Sequence, residues 1–267
     1  MIRKALLLTT SLLALPALAA PDADLWTFWA SSDERSSRTV DHGAWQRLLD
    51  AYLVEADGRT LFRYDAVADD DRSALDAYVA RLTAVDPRGL TRAQQFPYWV
   101  NLYNALTVRV VLDHPGKQSI RRMGGGLFQT GPWRTKLVEI AGERVSLDDI
   151  EHRILRPIWQ DHRIHFAVNC ASLGCPDLMP EAFTSANTEP LLVRAEQGFL
   201  SHPRAVAFAG DRLRLSSLFD WYLEDFADDR AGLLAYLARH RPELADRLAD
   251  HQGPIDYHYD WSLNAAR

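Results

Sequence analysis

Hydrophobic positions along this chain follow two periods. Leu75, Tyr78, Val79 and Leu82 recur at three-and-four spacing, which predicts an amphipathic helix over residues 73–85, ended by Asp86-Pro87. Thr91-Arg-Ala-Gln94 has the capping-box pattern and opens a helix to about residue 113. Apolar side chains surround that helix on nearly every side from Phe96 to Val111, with Pro97 in its first turns, so it is a central helix rather than a surface one. Residues 24–60, with Trp26, Phe28, Trp29, Trp45, Leu48, Leu49 and Tyr52, read as helical segments packed on the body. Asp57-Gly58 marks a turn into a short alternating strand over 59–64.

The second half alternates in the same way. Residues 137–145 predict a hairpin turning at Ala141-Gly142, and Ser146-Leu-Asp-Asp149 caps a helix expected to run to about Arg156 and stop at Pro157. Residues 164–169 read as a buried strand. A helix over 190–200, a hairpin pairing 205–208 with 212–215, helices over 217–226 and 231–239 and a final strand over 255–261 complete the series. Met123-Gly-Gly-Gly126 is a loop, not a phosphate loop, because no Lys-Ser/Thr follows it. Helices and strands are interspersed without regular βαβ spacing, internal repeat or low-complexity linker. The expected fold is a single compact α+β domain over residues 20–267, with a central buried helix and a mixed or antiparallel sheet.

The amino terminus bears on location. Arg3 and Lys4, an apolar run over 5–15 and Ala17-Leu-Ala19 form a signal-peptide pattern over residues 1–19, so cleavage near Ala20 and a periplasmic or secreted destination are expected. No later stretch approaches the roughly 18 apolar residues of a membrane span. Loss of Arg3 and Lys4 takes the formal charge from −6 to −8, which speaks against nucleic acid or an anionic membrane as partner. A small-molecule or peptide ligand remains.

Candidate chemistry centres on residues 163–176, which hold both cysteines. Cys170 ends the expected strand, where a thiolate could be stabilised by an imidazole or by backbone N–H groups. As nucleophile it needs a base, and His152 is the first choice, with Glu151 or an asparagine orienting it and a hydrogen bond to Cys170 expected. His165 competes, but along a straight strand it would lie roughly 16 Å away on the opposite face. Glu151 falls at the buried edge of its helix, where a carboxylate needs a partner. Asn101 and Asn104 interrupt an apolar helical face and either brace backbone or orient a catalytic group. Together with Asn169 and Cys175 they are the candidate orienting or substrate-binding groups.

Five ordered stretches, Tyr98-Trp-Val-Asn-Leu-Tyr-Asn-Ala105, Ser146 to Arg156, Ile164 to Pro176, Leu218-Phe-Asp-Trp-Tyr222 and Tyr259-Asp-Trp-Ser-Leu-Asn264, resemble the bacterial domain-of-unknown-function family 547 from about Asp41 to Asn264. The resemblance supplies a family and no activity. Plant members keep the position of Cys170 more readily than that of Cys175, which favours Cys170 as the reactive thiol.

Two function classes follow. One is a cysteine-dependent hydrolase or acyl transferase on an amide or thioester, with papain- or transglutaminase-like architecture as an analogy only. The other is a non-catalytic periplasmic binding module with a Cys170–Cys175 disulfide, which the four-residue gap and an oxidising compartment allow. A thioredoxin-like role is weaker because the spacing is not Cys-x-x-Cys. A metal site is weaker still, because the order of Cys170, Cys175, His152 and His165 matches no zinc motif. No metal and no cofactor are assigned.

Overall fold

The computed structural model describes residues 21–124 and 131–266; the signal-peptide pattern and part of the glycine loop lie outside them. Helix α1 (Gly43–Tyr52) leads into a hairpin of β1 (Leu53–Ala56) and β2 (Arg59–Phe62) turning at Asp57-Gly58, both with positive φ. The expected strand therefore has a partner on its amino-terminal side. Helix α2 spans Asp69–Thr83 and opens on three aspartates, whose charges suit a helix N-terminus. Helix α3 (Arg92–Leu112) is the buried axis of the fold. The Thr91 hydroxyl accepts from the Gln94 N–H as a cap should, but the Gln94 side chain donates outward to Ser185 rather than back to residue 91. Packed around α3, one hydrophobic cluster runs from Trp29 to Leu248.

Strands β3 (Val138–Ile140) and β4 (Glu143–Val145) form the expected hairpin, with Ala141 and Gly142 both at positive φ. A π-helix then spans Asp149–Leu155 and passes without interruption into α4 (Arg156–Trp159). Pro157 does not stop the chain here; it sits in the first turn of α4, where a missing N–H costs little. The change of register around Pro157 frees the carbonyls of His152 and Arg153. They accept instead from the backbone N–H groups of Asp24 and Trp26, at 3.0 and 2.9 Å, so the amino-terminal segment is tied to the π-helix.

Residues 164–169 correct the expectation of a strand. Ile164–Ala167 form the short helix α5, and only Val168 is extended. Asp161 starts this turn, its side chain accepting from Arg163 N–H and its carbonyl from Ile164 N–H. All four helical residues are buried, and a continuous apolar run carries no period by which a buried strand and a buried helix turn can be told apart.

Beyond the cysteine loop come α6 (Thr188–Ser201) and the hairpin of β5 (Val206–Ala209) with β6 (Arg212–Ser216). The expected helix over 217–226 is broken into α7 (Leu218–Trp221) and α8 (Leu223–Phe226), with Tyr222 at the break. After α9 (Arg230–His240) and α10 (Ala245–Ala249), strand β7 (Ile255–His258) lies parallel to β6, so the largest sheet is three-stranded and mixed. The fold is α+β. Among the described residues no helix is long and apolar enough to cross a membrane.

Candidate active site around Cys170

The cysteine loop is held by three asparagines. Asn104 on α3 donates to Ala167 C=O and accepts from Asn169 N–H, at 3.0 and 2.8 Å. The Asn169 side chain accepts from Ala171 N–H at 2.9 Å and donates to Pro176 C=O at 2.8 Å, closing the loop across the two cysteines. Asn264 donates to Asn169 Oδ1 and accepts from the Tyr64 hydroxyl. Asn101 does the same service elsewhere, exchanging both amide hydrogen bonds with the backbone of Phe183, and is not part of this site.

This bracing holds Ala171 at φ +58°, a left-handed conformation that a non-glycine residue adopts at a cost of order 1 kcal/mol. The strained residue directly follows Cys170 and turns Ser172 back onto its sulfur. The carboxy-terminal tail completes the enclosure: Leu173 N–H donates to Ser262 C=O and Gly174 N–H to Asp260 C=O, both at 2.8 Å. Gly174 is required at this approach, because a Cβ there would stand 2.8 Å from both the Asp260 nitrogen and the Tyr259 ring.

Tyr259 is thereby delivered to the thiol. Its hydroxyl, the Ser172 hydroxyl and the Cys170 sulfur form a triangle with each pair 3.1 Å apart. Burial would raise the thiol pKa, but hydrogen bonds from Cys175, Ser172 and Tyr259 and the Ser172 backbone N–H outweigh it, and the net direction for Cys170 is down. Both cysteines are free. Cys175 lies buried behind Cys170, its sulfur accepting from Cys170 N–H at 2.9 Å, and burial next to Cys170 pushes its own thiol well up. Trp221 and Trp261 pack on the Tyr259 ring with centroids 4.8 and 4.5 Å away, so the part-exposed thiol stands beside an aromatic cluster.

The acidic and imidazole candidates gather in a second, deeper group. His165 Nε2 lies 2.6 Å from Asp225 Oδ2, and its Nδ1 lies 3.4 Å from Glu151 Oε1. Glu151 Oε2 accepts from the Tyr103 hydroxyl at 3.1 Å. Arg156 donates to the same Asp225 oxygen at 2.6 Å and to His152 Nδ1 at 3.3 Å. Tyr222, placed at the helix break, stacks on His165 with centroids 4.1 Å apart and has the Arg156 guanidinium 4.9 Å above its ring. Burial opposes ionisation of Glu151, but the neighbouring imidazoles and Arg156 hold its carboxyl at about 2. Burial likewise opposes charge on His165, and the two carboxylates overcome it to raise this imidazole. Asp148, 4.0 Å from His152 Nε2, is pushed up to about 6 by burial and by Glu151.

No hydrogen bond joins either imidazole to Cys170, so the bond expected from His152 is not formed. Burial lowers His152 to about 4, and with Arg156 donating to Nδ1 its ring is neutral at pH 7 and has no open lone pair for the thiol. His165 is brought into this group because residues 164–167 coil; the straight-strand distance that had set it aside does not apply. Glu151 and His152 share a π-helix, a form that recurs at functional sites. Sequence reasoning missed Ser172, Tyr259, Tyr222, Asp225, Arg156 and Tyr103 as site residues. Tyr222 and Tyr259 stood in the motifs Leu218 to Tyr222 and Tyr259 to Asn264, which was a signal; Asp225 carried none.

No curated protein and no solved structure matches the chain. A family model does, over residues 87–200, a span narrower than the resemblance suggested. It takes in α3, the π-helix and the cysteine loop, with Glu151, His152, His165, Cys170 and Cys175, and leaves out Tyr222, Asp225 and Tyr259. Over that segment the chain matches the family described as "Protein of unknown function, DUF547".

Proposed function

We propose that the protein is a cysteine-dependent hydrolase or acyl transferase acting on an amide or thioester of a small-molecule or peptide substrate. The observation that carries this reading is the Cys170 sulfur of a partly buried residue, held at a strained turn by two hydroxyls and a backbone N–H. A thiolate stabilised in this way needs no imidazole to deprotonate it. Cys170 attacks the carbonyl carbon as charge moves from sulfur to oxygen. The Tyr259 hydroxyl, which keeps its proton because burial and the adjacent thiolate raise it, stands beside the sulfur as the proton donor to the leaving group. Water or a second nucleophile then releases the acyl group. Glu151, His165, Asp225 and Arg156 position Tyr222 and the wall behind the thiol and are not the proton relay.

Alkylation tests the nucleophile directly. At pH 6, iodoacetamide is expected to modify Cys170 faster than Cys175 and faster than a free model thiol. Tyr259→Phe should slow Cys170 by about tenfold, the worth of one hydrogen bond to a charged group, and His152→Gln should leave the rate within about twofold. A wild-type Cys170 no faster than the model thiol would sink the mechanism. The opposing reading, a binding module with paired cysteines, predicts no alkylatable thiol in the folded, unreduced chain.

We also propose export with cleavage after Ala19, on the charged start, short apolar run and Ala17-Leu-Ala19 pattern. Mass spectrometry of protein from its native host should find an N-terminus within a residue or two of Ala20. An intact Met1 in a cytosolic fraction would refute it.

A further inference from the structure

The two thiols differ in a way that a simple nucleophile does not need. Cys170 is partly buried, whereas Cys175 is 6 % exposed and lies directly behind it. The backbone brings them together: Cys170 N–H donates to the Cys175 sulfur at 2.9 Å, Cys175 N–H donates to Ser172 C=O, and Asn169 ties the loop shut at Pro176. The Cys175 sulfur thus rests against the backbone of Cys170. A disulfide needs Cβ atoms about 3.5–4.5 Å apart, and a closed turn that already brings one sulfur onto the other cysteine's backbone favours that approach. A less buried thiol in front of a more buried one is the arrangement of an attacking and a resolving cysteine.

We propose that Cys170 and Cys175 form a reversible dithiol–disulfide couple, in which a hydroperoxide oxidises Cys170 and Cys175 resolves the product, switching off the nucleophile. In the first step the Cys170 thiolate attacks the peroxide. A sulfur–oxygen bond forms, the oxygen–oxygen bond breaks, sulfur gives up two electrons, and the leaving oxygen takes a proton to depart as water or an alcohol. In the second, the Cys175 sulfur attacks the sulfenic sulfur; the sulfur–sulfur bond forms, and the hydroxyl leaves as water with the Cys175 proton. An external dithiol returns two electrons and two protons by thiol–disulfide exchange. The couple rests on Cys170 being an accessible thiolate, as in the reading above, but not on acyl transfer.

The test uses the full chain, reduced, freed of reductant and exposed to hydrogen peroxide in small molar excess. Remaining thiols are then blocked with iodoacetamide and the peptides mapped without reduction. The expected result is a Cys170–Cys175 linked peptide, lighter by two hydrogens than the dithiol, with both thiols alkylatable again after dithiothreitol. In Cys175→Ser, Cys170 should stop as a sulfenic acid that dimedone traps. Over-oxidation of Cys170 to sulfinic acid in the wild type while Cys175 stays alkylatable would overturn the couple. A disulfide that dithiothreitol does not reduce in the folded chain would overturn its reversibility. Fast alkylation of Cys170 at pH 6 without disulfide formation would remove the couple and leave the nucleophile standing, whereas slow alkylation with no oxidation would remove both.

Discussion

Replacing Glu151 by Gln is expected to destabilise the protein by about 3 kcal/mol at pH 6, the scale for breaking a buried charge pair by removal of one member. Glutamine fills the same volume and still accepts from the Tyr103 hydroxyl. What it removes is one of the two carboxylates that flank His165, in a group that also holds the buried Arg156 guanidinium. Two cations would then share Asp225, with Glu224, 3.3 Å from Arg156 and itself largely exposed, as a further carboxylate. His165 can escape part of the cost by losing its proton, and this gives the effect a pH signature. The raised imidazole contributes fully below its unfolded value near 6.5 and loses that contribution as pH rises through its folded value. The Glu151 carboxyl, held at about 2, contributes above its unfolded value near 4.5 and loses that as pH falls toward 2. The penalty should therefore be largest between about pH 5 and 6 and shrink toward pH 9. Urea denaturation of both proteins across that range measures it. A difference under about 1 kcal/mol at pH 6 would mean that this group is not a coupled ion network.

Two neutral buried histidines are expected to take about 4 kcal/mol from the stability of the wild type between pH 7 and pH 5. Burial lowers His42 to about 4, against the opposing charge of Asp41, and lowers His152 to about 4, against Glu151. His42 Nδ1 bonds the Tyr78 hydroxyl at 2.7 Å, while its Nε2 is buried without a partner. The unfolded chain takes up these protons near pH 6.5 and the folded chain does not until about pH 4, so acid favours unfolding, by about 2 kcal/mol for each ring over this interval. His165 and Asp148, both raised, work in the opposite direction over this interval and offset part of it. His42→Gln should cost stability at pH 7 yet remove about half of this histidine contribution, flattening the slope by about 2 kcal/mol over the interval. Equal slopes in the two proteins would show that His42 is not the titrating group.

The parts of this fold that were legible in the sequence are those whose cause is local. Thr91 caps α3 and an all-round apolar run buries it; Ala141-Gly142 supplies two positive-φ residues for a two-residue turn; Leu75, Tyr78, Val79 and Leu82 give α2 one buried face. Such features depend on neighbours within a turn or two, and a single chain displays them directly. Residues 164–167 escaped because a run buried on every side has no period, and Pro157 misled because a proline that ends one helical register can begin the next.

The cysteines, Glu151, His152 and His165 were recognisable as residue types out of place, and their shared neighbourhood came with the motifs that hold them. Their relations were not. The Cys170 sulfur takes its hydroxyl donor from a residue 89 positions away, His165 its carboxylate from 60 away, and Asn104 the backbone it braces from 63 and 65 away. Which hydroxyl meets the thiol depends on Gly174 admitting the tail, and which carboxylates meet His165 depends on a π-helix and on the break at Tyr222. The sequence by itself determined the helical axis, the hairpins and the candidate thiols, imidazoles and carboxylate, because propensity, capping and side-chain chemistry act over a few residues. Only the tertiary structure decided that Cys170 is served by hydroxyls and Cys175 rather than by an imidazole, because partner choice is made where distant segments pack and burial sets the charge each group can keep.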